Sequence, residues 1–231
     1  MEGYFIFKNQ SSKDFGIQIY EMPQRIKAER KQTEITIAGR SGYFTEDENE
    51  TYKPYDLTFY CSTRLCKRLD EIVAWLDGSG DLIISTEKDK VYRAKISGSI
   101  KISNVIYLYQ KILLTFRVQP FKYSRNTYSD TLDLTQPTTI YNRGTIYSTP
   151  IITIYGTGDL DFTINGTSFT LTDVVDYITV NCEIEEVYKD GASCNLQYIG
   201  TAFPRLDVGA NEITWSGSVE KVVVEPQWRW R

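Results

Sequence analysis

Residues 33–60 read TEITIAGRSGYFTEDENETYKPYDLTFY, and the rest of the chain is organised around them. Side chains alternate across a strand with period two. Thr33, Ile35 and Ile37 therefore share one face of a first strand, and Tyr55, Leu57, Phe59 and Cys61 one face of a second. Between them runs Ala38 to Thr51, which opens with Gly39-Arg40-Ser41-Gly42 and closes with the acidic run Glu46-Asp47-Glu48-Asn49-Glu50. Hairpin loops usually hold about 2–5 residues, and much longer ones are functional or disordered. The stretch predicts a hairpin arm over about residues 33–60 that contacts a neighbouring copy; a solvated surface loop is the other reading. Arg40, Ser41, Gly42, Tyr43, Glu46, Asp47, Glu48 and Glu50 are the candidate contact residues of such an arm.

Upstream, Arg25 to Ile37 reads as one long strand, charged at its start. At ~3.3 Å per residue it spans roughly 40 Å, enough to carry the hairpin past a domain edge. Tyr4-Phe5-Ile6-Phe7 is a short strand, and Ser11 and Ser12 mark a turn. Downstream, Ser62 to Asp77 predicts a helix. Ser62 or Thr63 caps it, Leu65, Leu69, Ile72, Val73 and Leu76 form its apolar stripe with Trp75 beside it, and Gly78 ends it. Tyr92 to Ser103 alternates apolar and polar residues as one half-buried strand. Ile106 to Val118 pairs with it and turns Ile112, Leu114, Phe116 and Val118 inward, until Gln119-Pro120-Phe121 stops the sheet. The polar stretch 122–137 marks a domain boundary, which divides the chain into residues 1–123 and 124–231.

The second part reads as short strands with frequent turns, which signals an all-β unit. Asp159 to Ile164 alternates, Asn165-Gly166 has the chemistry of a type I′ turn, and Phe169 and Leu171 return on the next strand. Further strands are expected at 177–180, 184–188, 196–199, 212–215 and 219–224, with turns at Asp190-Gly191 and at 208–211. The whole is a mainly β chain with one helix and a long hairpin.

The chain has 231 residues, a net charge of −4 and 17 tyrosines. No global positive field is present to hold a nucleic acid. Histidine is absent, which excludes Ser-His and Cys-His nucleophile pairs and His metal ligands. Cys61, Cys66, Cys182 and Cys194 contain no CxxC pair and read as buried free thiols. The N-terminus lacks the pattern of a signal peptide, and no apolar run reaches the ~18–20 residues of a membrane span. Synthesis in a cytosol is expected. Gly156-Thr157-Gly158 imitates a dinucleotide loop, but Asp161 stands where a glycine is needed and no helix pattern follows. Asp159 with Asp161, and Glu183 with Glu185 and Glu186, read as solvated strand faces. No catalytic, cofactor or metal site is expected. Trp215, Trp228 and Trp230 with Arg205 and Arg229 supply the ingredients of a sugar platform; the alternative is that these indoles complete a core.

Four segments, in order and spacing, resemble the N-terminal domain of siphophage distal tail (Dit) proteins: Asp14-Phe15-Gly16-Ile17, Gly39-Arg40-Ser41-Gly42, Trp75-Leu76 and Val118-Gln119-Pro120-Phe121. Asn142-Arg143-Gly144 before Ser148-Thr149-Pro150, then Phe203-Pro204-Arg205-Leu206, Gly209 to Ile213 and Gln227 to Trp230, resemble the companion domain. The resemblance implies a ring-forming N-terminal domain whose hairpin belts a neighbour, and a galectin-like β-sandwich after it. It further implies a homo-hexamer at the virion tail tip, made in the host bacterial cytoplasm. That ring joins the tail tube protein to the tail-associated tip protein, encloses the tape-measure protein and in some relatives carries a receptor-binding protein. A carbohydrate-binding host-recognition module is the competing expectation.

Overall fold

A computed structural model of the chain describes residues 3–63, 68–96, 98, 100–106, 109–126 and 130–231; of residues 47–50, 101–106, 109 and 110 it describes the backbone. The chain forms two compact units, residues 1–122 with Arg231 and residues 123–230. Both are mainly β, as the composition predicts.

In the first unit the strands are β1 (Phe5–Phe7), β2 (Gln10–Ser11), β3 (Ile17–Glu21), β4 (Arg30–Ile35), β5 (Phe44–Tyr52) and β6 (Tyr55–Thr63). Helix α1 (Leu69–Leu76) follows, then β7 (Ser79–Ile84), β8 (Lys90–Ile96), β9 (Lys101–Ile106) and β10 (Tyr109–Ser124). The main sheet runs β2-β1-β7-β8-β10-β6-β3, with β9 also on β10. A bridge from Gly3 to Ile19 links its two ends, so the sheet curls on itself. The inward residues of β10, Ile112, Leu114, Phe116 and Val118, are all buried as the alternation predicts. They meet Phe5, Phe7, Phe59 and Ile72 in one core. Trp75 closes it: its indole stacks on Phe15 at 4.2 Å, and its N–H donates to the Phe7 carbonyl at 2.9 Å.

The predicted helix is shortened. Ser62 and Thr63 are the last residues of β6, residues 64–67 lie outside the described residues, and Arg68 is the N-cap without a side-chain cap bond. The stripe is rotated as well: Ile72, Trp75 and Leu76 are buried, and Val73 faces out. Leu65 falls among the residues not described. The strand expected over 92–103 is two strands, β8 and β9, with Gly98 between them at φ +73°. Pro120 does not stop β10. The ladder to β6 ends at Val118↔Tyr55, so the proline meets no β6 partner that needs its missing N–H.

The second unit holds β11 (Leu132–Leu134), β12 (Thr138–Asn142), β13 (Ile151–Ile164), β14 (Thr167–Val174), β15 (Tyr177–Asn181), β16 (Glu186–Lys189), β17 (Ala192–Ser193), β18 (Tyr198–Gly200), β19 (Gly209–Glu225) and β20 (Arg229–Trp230). Two long strands organise it. Residues 151–155 of β13 pair with β15, and residues 158–164 pair with β14. β19 pairs with β12 at its start and with β11 near its end. Where β13 and β19 lie together, the register slips between Tyr155 and Gly156 and between Thr157 and Asp161. Ile154 and Val222 from one half and Phe162, Phe169 and Ile213 from the other join one core, so the bent sheet folds over it.

The glycines that imitated a dinucleotide loop sit at this bend. Gly158 has φ +79°, and Gly217 opposite has φ +100°, where a Cβ would lie 2.7 Å from the Asp159 carbonyl oxygen. The Asn165-Gly166 turn has both residues at positive φ and closes the pair Ile164↔Thr167, as its sequence predicts. Two expected strands, 212–215 and 219–224, are one strand, β19, and Leu196 lies in a 3-10 turn (Asn195–Gln197) rather than in a strand.

Candidate subunit interface

The decisive stretch folds differently from its sequence reading. β4 does not pair with the strand at 55–63. It pairs with β5, inside the segment read as a loop, through Ile35↔Phe44, Glu34↔Thr45, Thr33↔Glu46 and Gln32↔Asp47. The first strand is also shorter than the expected 25–37. β6, meanwhile, pairs with β10 and β3 in the main sheet. The reason is visible in burial. Every residue from 29 to 46 is exposed, so β4 and the start of β5 have no inward face to impose alternation.

β4 and β5 form a two-stranded sheet separate from the other sheets. An isolated two-stranded hairpin is at best marginally stable in water. This one also presents apolar surface: Ile35 is 44% exposed, Ile37 48%, Tyr43 62% and Phe44 46%. Contiguous exposed apolar surface marks an interaction site more often than scattered residues do.

The predicted contact residues fall as follows. Arg40, Ser41, Gly42 and Tyr43 lie in the tip, which connects Ile35 to Phe44. Gly39 and Gly42 take φ +83° and +89° there, conformations that side chains resist. The Arg40 guanidinium lies over the Phe44 ring at 4.3 Å. Glu46 is exposed in β5 beside Thr33. Asp47, Glu48 and Glu50 are in the same strand, and their side chains fall outside the described residues.

The base of the ribbon is anchored. Ala28 and Tyr52 are buried, the Lys53 N–H donates to the Glu29 carbonyl at 2.8 Å, and Tyr52 packs edge-on to Phe121 at 5.3 Å. Just before it, residues Pro23 to Ile26 pass over a charged cluster that the sequence reading missed. Glu87 accepts two hydrogen bonds from Lys122 Nζ, at 3.0 and 3.1 Å, and one from the Tyr92 hydroxyl, with Arg25 at 3.9 Å. Burial pushes the Glu87 carboxyl up, but the bonds from Tyr92 and Lys122 and the charges of Lys122 and Arg25 bring it below its ordinary value. Burial, and then the charge of Glu87, push Tyr55 up to about 12. Arg25, Tyr55 and Lys122 come to Glu87 and Tyr92 from distant parts of the chain, and no spacing signals their meeting.

The sugar platform is not assembled. Trp228 is buried in the second core, where Trp215 and Trp230 pack against it. Arg205 and Arg229 both lie over the Tyr147 ring, at 4.9 and 4.8 Å. Among the described residues no group of three His, Cys, Asp or Glu side chains is placed to hold a metal, and no helix is long and apolar enough to cross a membrane. Cys61 and Cys182 are buried free thiols, each pushed up to about 12 by burial; Cys194 is partly exposed, and Cys66 is not among the described residues.

No protein-family model and no curated protein matches the sequence. Solved structures do match. The phage SPP1 Dit (gp 19.1) protein, whose structure is described as a paradigm of the hub adsorption apparatus in Gram-positive-infecting phages, superposes with a TM-score of 0.78 at 16% identity. The match covers 96% of this chain and 98% of that one. A chain of the phage P2 baseplate in its activated, calcium-bound conformation matches with a TM-score of 0.50 at 10% identity, over 100% of this chain and 98% of that one. The chain has the fold of the SPP1 Dit protein across both of its units.

Proposed function

We propose that the chain is a structural hub of a phage or prophage tail tip: a hexameric ring that joins the tail tube to tip and baseplate proteins without catalysis. One observation carries this reading. The β4–β5 ribbon is exposed throughout residues 29–46, ends in an apolar and cationic tip, and belongs to a chain with the Dit fold. A ribbon too small to be stable alone gains its stability from a second body. When each copy offers an arm and receives one, the contact is heterologous, and repetition about an axis closes a ring.

On this reading the first unit builds the ring with Arg40 to Tyr43 and Glu46 to Glu50 at the subunit junction, and the second is a galectin-like sandwich facing outward. The tail tube, tape-measure and tail-associated tip proteins are the expected partners, with a receptor-binding protein on the outer unit. Of the indoles invoked for a sugar-binding role, Trp228 is buried in the core and Trp215 and Trp230 pack against it, which favours the structural role. Electron microscopy of the purified chain tests the proposal: closed rings of six are expected, and a field of single particles at every concentration, also after mixing with tail components, would end it.

A further inference from the structure

A trough runs across the first unit. One part is a cavity of about 870 Å³ between the outer face of α1 and the turn after β8. Val73, Ile96 and Ile100 give it an apolar wall, and the exposed carboxylates of Asp70 and Asp77 stand at its rim. Val73 sits on a helix whose opposite face is already core, and it is 43% exposed. Ser79 and Lys95 also line a second hollow of about 540 Å³, on the outer face of β7, β8 and β10. Here Arg93 and Lys95 alternate outward from the buried Tyr92 and Ala94; Asp81 lines the same hollow, and Arg117 beside them is ion-paired with Asp56 at 3.1 Å, so the cations outnumber the carboxylates by one.

The hairpin carries the matching features in a matching order. Its tip combines Tyr43 and Phe44 with the Arg40 guanidinium stacked on Phe44. Glu46 follows at once in β5, and the sequence continues Asp47, Glu48, Glu50. An apolar tip with one cation suits the apolar part with its two carboxylates. An acidic strand suits the arginine and lysine of the other part. Seated the opposite way, carboxylates would face carboxylates. In its own chain the ribbon is exposed from residue 29 to 46, so the same molecule's arm does not fill the trough.

We infer that this trough is the seat of a second copy's hairpin, with the tip against α1 and the acidic strand along β8; this rests on the reading of the ribbon as an intermolecular arm. Buried apolar rings supply the affinity, and the charges fix direction and register. Raised salt weakens the attraction, because exposed pairs are screened over about 8–10 Å at ordinary ionic strength.

Charge reversal in the full chain tests it by sedimentation velocity. The trough variant R93E/K95E changes two exposed residues, and unaltered thermal unfolding of the variant establishes that the fold is kept. It is expected to weaken self-association at least about tenfold. The arm variant E46K/D47K is expected to do the same. Combining all four changes in one chain, or mixing the two variants, restores association, because the signs are again opposite. Two variants that each fail to rescue the other overturn the inference, as does a trough variant that assembles like the wild type. If that variant assembles normally while a chain lacking the tip does not, the arm reading stands and its seat is elsewhere. If the tipless chain also assembles normally, or the wild type never associates, both readings fall.

Discussion

Asn142 shows how a single polar residue fixes a corner of the second unit. Its side chain is buried, donates to the carbonyls of Ile146 and Leu206 at 3.2 and 3.0 Å, and accepts from the Gly144 N–H at 2.7 Å. Nothing of this is visible in sequence beyond an Asn two residues before a Gly. Asn142→Ala leaves the Gly144 N–H and the Ile146 carbonyl without these partners in a buried setting. A loss of about 2 kcal/mol is expected in urea unfolding, since one stranded buried group costs ~1–3 kcal/mol. Glu87 makes a second prediction. Its carboxyl is held below its ordinary value in the folded chain, so its contribution to stability is present above the unfolded glutamate value. That contribution is lost as pH falls through the lower, folded value. Glu87→Gln is therefore expected to be less stable than the wild type at pH 7, and the gap should close as acid unfolding curves are taken downward from about pH 4.3. A gap that stays constant with pH would mean that the cluster holds Glu87 by shape alone.

At the scale of elements, burial decided what could be read. Residues 112–118 of β10 and 160–164 of β13 bury alternate side chains, and these inward faces are legible from alternation alone; the first half of β13, 151–156, carries no such reading. The Asn165-Gly166 turn is legible because its chemistry suits positive φ at both positions. β4 and the start of β5 are illegible for the opposite reason: residues 30–46 are all exposed and leave no period to find, and an acidic run looks like loop. Arg40 to Tyr43 lie at the tip of this ribbon, and the strand that pairs with β4 is β5 rather than the expected one at 55–63. The end of β6 at Ser62 and Thr63 has the sequence of a helix start, because Ser and Thr cap helices as readily as they finish strands. Helix α1 has eight residues, too few to persist by itself, and it depends on Ile72, Trp75 and Leu76. Trp75→Ala removes the stack on Phe15 and the bond to the Phe7 carbonyl. The expected cost is ~3–5 kcal/mol by chemical denaturation; a loss under about 1 kcal/mol would mean that the helix is held by other contacts.

At the scale of the whole molecule, one two-stranded sheet, β4–β5, stands apart from the other sheets. Each unit has its own core, and the β4–β5 ribbon is left over, exposed and apolar at its tip. The fold likeness to SPP1 Dit spans both units at 16% identity. The most direct measurement is the mass in solution of the full chain beside a version in which residues 36–43 are replaced by Asn-Gly. That change keeps β4 and β5 joined and removes Arg40 to Tyr43. The account predicts six-copy particles for the full chain and single copies for the shortened one, with both unfolding alike. Equal masses for the two would contradict it.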